Sequence, residues 1–125
     1  MKTDASDRPG DLDPAALAQL EAAGGGAFLR TMLAMFLELT PERLAQLDAA
    51  WGSGNREEAE RHAHSLKTGA AMLGAQKLRT LAEAAERHAA EGRLNEAAAL
   101  GPQLTAEFQM LEPLIRARME RYPQE

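Results

Sequence analysis

Cysteine is absent from the 125 residues, aromatic side chains make up only 4%, and basic residues are outnumbered, 14 Lys and Arg against 19 Asp and Glu for a formal charge of −5. Each shortage removes a class of function. Without thiols there are no disulfides, thiolate metal sites or cysteine nucleophiles, so packing alone must hold the fold, as is usual in a reducing compartment, and a cytoplasmic setting is expected. The acidic balance argues against a nucleic-acid ligand, which needs a basic stripe to neutralise phosphates. No signal-peptide pattern follows Met1, and no run approaches the ~18 apolar residues needed to span a bilayer, so a soluble protein without a membrane partner is expected.

What is plentiful is alanine, leucine, glutamate and arginine, the mix that favours helix over strand. Residues 1–11 carry almost nothing apolar and are expected to be a mobile leader, and residues 123–125 a frayed tail. Between them, residues 12–122 read as one bundle. Asp13-Pro14 is an N-cap with proline at the first helical position, opening a short first helix that ends at Gly24-Gly25-Gly26. A second helix follows with Leu29, Leu33, Phe36, Leu44, Leu47 and Trp51 in phase, Thr40 filling the gap in the stripe. Pro41 is expected to kink it and Gly52 to end it. Asn55 with Glu58 three residues on resembles a capping box for a third helix over Arg56 to Leu73, whose seam is Ala59, Ala63, Leu66, Ala70 and Leu73. After Gly74 a fourth helix carries Leu78, Leu81, Ala82, Ala85 and Ala89 to Gly92. A last stripe from Leu94 to Met119 must be bent or divided by Pro102 and Pro113. Four substantial helices with short connections bury their stripes most simply as an all-α antiparallel four-helix bundle, with the first short helix as a lid.

Stepping roughly 100° per residue from the centre of the third helix's seam puts His64 about 140° away, on the outer face with Glu57, Glu60, Lys67, Thr68 and Ala71. His62 falls about 60° from the centre on the other flank, where a half-buried filler is expected. The two histidines diverge, unlike an i, i+4 pair that chelates zinc, so no metal site is expected. His88 reads as a solvated residue near a helix end. An unprotonated imidazole offers a free ring nitrogen that is a competent nucleophile toward phosphorus. Lys67, one turn on from His64, can compensate the charge of a phosphoryl group placed there. It is one of only three lysines among the fourteen basic residues.

The string Ala63-His64-Ser65-Leu66-Lys67-Thr68-Gly69-Ala70-Ala71-Met72-Leu73-Gly74-Ala75 resembles the signature of histidine-containing phosphotransfer domains: histidine, any residue, leucine, lysine, glycine, small residues, then leucine, glycine and alanine. The likeness extends over roughly Leu12 to Arg121. It implies that His64 accepts a phosphoryl group from a receiver-domain aspartate and passes it to another receiver in a multistep two-component phosphorelay, with Lys67 beside the phosphohistidine. It also implies a carrier without a cofactor, not a self-contained enzyme, because the receiver brings the acidic pocket and the magnesium ion. Partners are then response-regulator receivers or a hybrid sensor kinase, and the carrier is expected to be a monomer. The chain departs from the family at Thr68, where glycine is usual and where the hydroxyl can either bond or crowd the phosphoryl oxygens. Glu60, Arg61 and Ala71 on the His64 face are expected to contact the partner.

Two other readings compete. A dimerising phosphoacceptor hairpin of a sensor kinase also places a threonine four residues after its histidine, but Ser65 stands where an acidic residue is usual, and no glycine-rich ATP-binding domain is present. A helical adaptor bundle with an incidental histidine is the second.

Overall fold

The computed structural model describes residues 10–122; residues 1–9 of the leader expected over 1–11, and the tail at 123–125, lie outside the described residues. Five helices run in the order α1 (Pro14–Gly52), α2 (Arg56–Leu73), α3 (Gln76–Ala90), α4 (Leu94–Ala98) and α5 (Gly101–Met119). The expected caps are in place. The Asp13 carboxylate accepts from the Ala15 N–H at 3.0 Å, and the Asn55 side chain accepts from the Glu58 N–H at 3.1 Å. Only half of the capping box forms, because the Glu58 carboxylate turns to Arg61 at 2.5 Å.

Two boundaries differ from expectation. The first and second expected helices are one element, α1, interrupted only at Gly25, whose φ of 91° and ψ of 178° leave the helical region. Only glycine takes that φ without strain, so the triple glycine bends the chain instead of ending it. The bend also makes room: the Tyr122 ring lies so close that a Cβ on Gly26 would stand 2.5 Å from it. The Tyr122 hydroxyl donates to Glu21 at 3.0 Å, and Arg30 donates to the carbonyls of Met119 and Tyr122 at 2.5 and 3.0 Å. The lid half of α1 is thus tied to the end of α5. Helical backbone runs through Pro41, whereas the last expected helix divides at Ala99 and Leu100. Pro102 explains the division. It has no N–H for the Ala98 carbonyl, but at the second position of a new helix none is needed.

By length and composition α1 could cross a membrane, which the run-length criterion overlooked. Its stripe is committed elsewhere: Leu29, Leu33, Phe36, Leu44 and Leu47 are buried against the other helices. Leu29, Leu33, Leu47, Leu73, Leu78, Leu104, Leu111 and Ile115 are fully buried, each contributing about 1.5–3 kcal/mol of transfer free energy. Gly10 and Asp11, expected in the mobile leader, are placed. The Gly10 N–H donates to the buried Glu107 carboxylate at 2.6 Å.

The α2–α3 hairpin positions the outer-face residues. Its facing side chains are small, with Ala59, Ala63 and Ala70 on α2 and Ala82, Ala85 and Ala89 on α3 all fully buried, so the two helices can approach closely. The turn is fixed by Gly74, at φ 72°, whose carbonyl accepts from the Asp13 N–H at 2.9 Å. A Cβ at Gly74 would stand 2.6 Å from that of Asp13. The start of α1 therefore clamps the hairpin turn.

Candidate functional site

His64 projects from α2 as the helical step predicts, with its side chain 58% exposed. Nδ1 lies 2.8 Å from Oε2 of Glu86 on α3. The other oxygen, Oε1, is 2.7 Å from Nζ of Lys67. One carboxylate therefore engages both residues singled out from sequence. A carboxylate accepts only, so the ring must carry its proton on Nδ1, and the lone pair is then on Nε2. Burial pushes the Glu86 carboxyl up. Hydrogen bonds from Lys67 and His64, together with the positive charge of Lys67, outweigh that effect and hold it below its ordinary value.

Glu86 was not singled out from sequence, although a signal existed. His64 and Glu86 are 22 residues apart and equidistant from Ala75, so folding the hairpin at Gly74-Ala75 sets them opposite each other. The close α2–α3 contact through alanine then lets a glutamate reach the imidazole.

Thr68 is exposed, and its hydroxyl donates to the His64 carbonyl at 3.1 Å. That proton is spent on the backbone of the preceding turn. Gly69 lies on the α1 side of α2, where a Cβ would meet the Phe36 ring at 3.8 Å, an ordinary contact. Ala71 is exposed, Glu60 is half-buried, and Arg61 is exposed and paired with Glu58. His62 is more deeply placed than the half-buried expectation, at 8% exposure. Gln46, Ala49 and Ala50 of α1 border the same recess, its Nδ1 lacks a partner, and Nε2 is 3.4 Å from Glu58. His88 is half-buried and accepts from Arg93 at 3.2 Å. Among the described residues no three His, Asp or Glu side chains converge as metal ligands.

Beside the His64 face, on the other flank of α2, an apolar groove opens toward α1. Met32, Met35, Phe36 and Leu39 line one wall, and Gly69 and Met72 the other.

The sequence model of the Hpt domain matches residues 31–120, which takes in the later part of α1 and all of α2 to α5. This chain belongs to the Hpt domain family. The crystal structure of histidine-containing phosphotransfer protein B (HptB) from Pseudomonas aeruginosa PAO1 superposes with a TM-score of 0.84 at 31% identity, covering 90% of this chain and 96% of that one. No curated protein sequence matches. This Hpt domain is accordingly a helical-bundle histidine phosphotransfer protein of a phosphorelay. Domains of the family interact with receiver domains and kinases, and act as phosphoryl carriers instead of self-contained catalysts.

Proposed function

We propose that His64 is the phosphoacceptor of this Hpt domain and that Nε2 is the attacking atom. The observation that carries the reading is the Glu86 carboxylate on Nδ1, which leaves the nucleophilic lone pair on the nitrogen at the other side of an exposed ring. Nε2 attacks the phosphorus of a receiver's aspartyl phosphate. The N–P bond forms as the P–O bond to the aspartate breaks, and that carboxylate leaves with its electron pair. The ring gains positive character, which the Glu86 carboxylate offsets through the Nδ1 proton. Lys67, held at 2.7 Å from the same carboxylate, is a cation placed to compensate the incoming phosphoryl oxygens. Transfer to a second receiver reverses these steps.

No cofactor is assigned to this chain. The receiver supplies the acidic pocket and its magnesium ion, which offsets charge on the phosphoryl oxygens, so the chemistry is completed by the partner. The receiver covers the His64 face and, on the same side of the bundle, the groove between α1 and α2. Continuity supports this footprint, since Ser65 and Gly69 of the groove adjoin His64 and Thr68 in the helix. Ala71 falls within it, and Glu60 and Arg61 lie one turn toward the start of α2. The carrier acts as a cytoplasmic monomer, in a weak and transient complex.

Incubation with a phosphorylated receiver tests the proposal. Label is expected on the chain in acid-labile, base-stable form, and His64→Gln is expected to abolish it while keeping the helical signal. Label that persists in His64→Gln, or never reaches the native chain, would overturn the assignment.

A further inference from the structure

Three of the six methionines, Met32, Met35 and Met72, line the groove between α1 and α2. Met35 is 45% and Met72 42% exposed, one on each wall. The chain has no cysteine, so no thiol in it competes for an oxidant. Thioethers are soft and apolar and fit irregular partner surfaces, but their sulfoxides are polar and chiral. A surface that docks through methionine is therefore one that oxidation can spoil.

We propose that Met35 and Met72 are modification sites through which a hydroperoxide attenuates receiver docking. The proposal rests on the docking footprint given above. The sulfur lone pair attacks the distal oxygen of the hydroperoxide, the S–O bond forms and the O–O bond breaks. Sulfur is oxidised by two electrons to the sulfoxide, and the peroxide is reduced to an alcohol, or to water from hydrogen peroxide, which retains the proton. Reductases that act on methionine sulfoxide reverse the change. A sulfoxide in the contact must give up water against a lining that is apolar apart from Thr40, Arg43 and Ser65. The effect falls on docking, while the His64–Glu86–Lys67 cluster, which contains no sulfur, keeps its chemistry.

Met110 provides an internal control. It is 50% exposed, yet it lies on α5 against Gly10, away from the groove. The full chain is treated with hydrogen peroxide, oxidised sites are mapped by peptide mass, and transfer from a phosphorylated receiver that is active on the untreated chain is measured across receiver concentrations. Oxidation is expected to lower transfer at limiting receiver by about fivefold or more and to have little effect at saturation. The double variant Met35→Leu, Met72→Leu is expected to be protected, and Met110→Leu is not. Untreated Met72→Glu tests the docking footprint without oxidation. If Met72→Glu slows transfer but the oxidised native chain does not, the oxidation proposal fails and the footprint stands. If Met72→Glu transfers at the native rate, the footprint itself fails. Loss of helical signal on oxidation would also overturn the proposal, since the damage would then be to the fold.

Discussion

Replacing Glu86 by glutamine separates the role of its charge from that of its shape. Glutamine is isosteric, but its amide can either accept the Nδ1 proton through oxygen or donate to Nδ1 through nitrogen. The second arrangement puts the ring proton on Nε2 and removes the nucleophilic lone pair. A hydrogen bond to a charged partner contributes about 1.5–3 kcal/mol when shielded. The His64 side chain is 58% exposed, and screening at such a surface reduces the value to about 1 kcal/mol. That energy corresponds to roughly a fivefold change in the population of the competent tautomer and ring orientation. Phosphoryl uptake by Glu86→Gln at limiting receiver should therefore fall about fivefold. Because the Glu86 carboxyl sits below its ordinary value, the native side chain is charged at neutral pH, and the comparison with glutamine made there removes a full negative charge. Nitrogen-15 shifts of the ring report the tautomer directly, and rapid-quench transfer reports the rate. A variant that transfers within twofold of the native rate, with an unchanged ring tautomer, would refute the positioning role of this carboxylate.

Lys67→Ala removes the cation beside the acceptor without touching the core. It should shorten phosphohistidine lifetime or slow transfer about fivefold with the helical fold retained, and an unchanged lifetime and rate would exclude the role. Gly69→Ala places its Cβ at ordinary contact distance from Phe36 and replaces a helix-interior glycine, so thermal denaturation should show a gain of about 1 kcal/mol. Burial pushes the Glu107 carboxyl up, a tendency that the Gly10 N–H and Lys77 only partly offset. The folded state therefore holds that proton more tightly than the unfolded chain, and stability falls as pH rises from the ordinary carboxylate value through the raised one. Glu107→Gln should melt higher than the native protein at pH 7, with the difference vanishing near pH 4; equal shifts at both values would show that the carboxylate is not strained by burial.

The helix starts and the hairpin turn were legible because their causes lie within a few residues: Asp13 and Asn55 cap their own first turns, and Gly74 supplies the left-handed residue that ends α2. The outward direction of His64 was legible for the same reason, since rotation along a helix is fixed by residue number alone. The extent of α1 was not. Its glycine triplet is a stop signal locally, and the chain continues beyond it because Met119 and Tyr122, from the far end of the sequence, meet the bend and accept from Arg30 just past it. The burial of His62 likewise depends on the last turns of α1 closing over its flank.

By itself the sequence determined an all-helical chain, a single bundle and one outward imidazole followed by a lysine, because periodicity, capping and helical rotation are short-range. Tertiary structure alone decided that Glu86 joins that imidazole and lysine, and that methionines of α1 and α2 share a groove beside them. Such meetings depend on the register and separation of packed helices. Those are set by the sizes of all the facing side chains together, the alanines of α2 and α3 foremost.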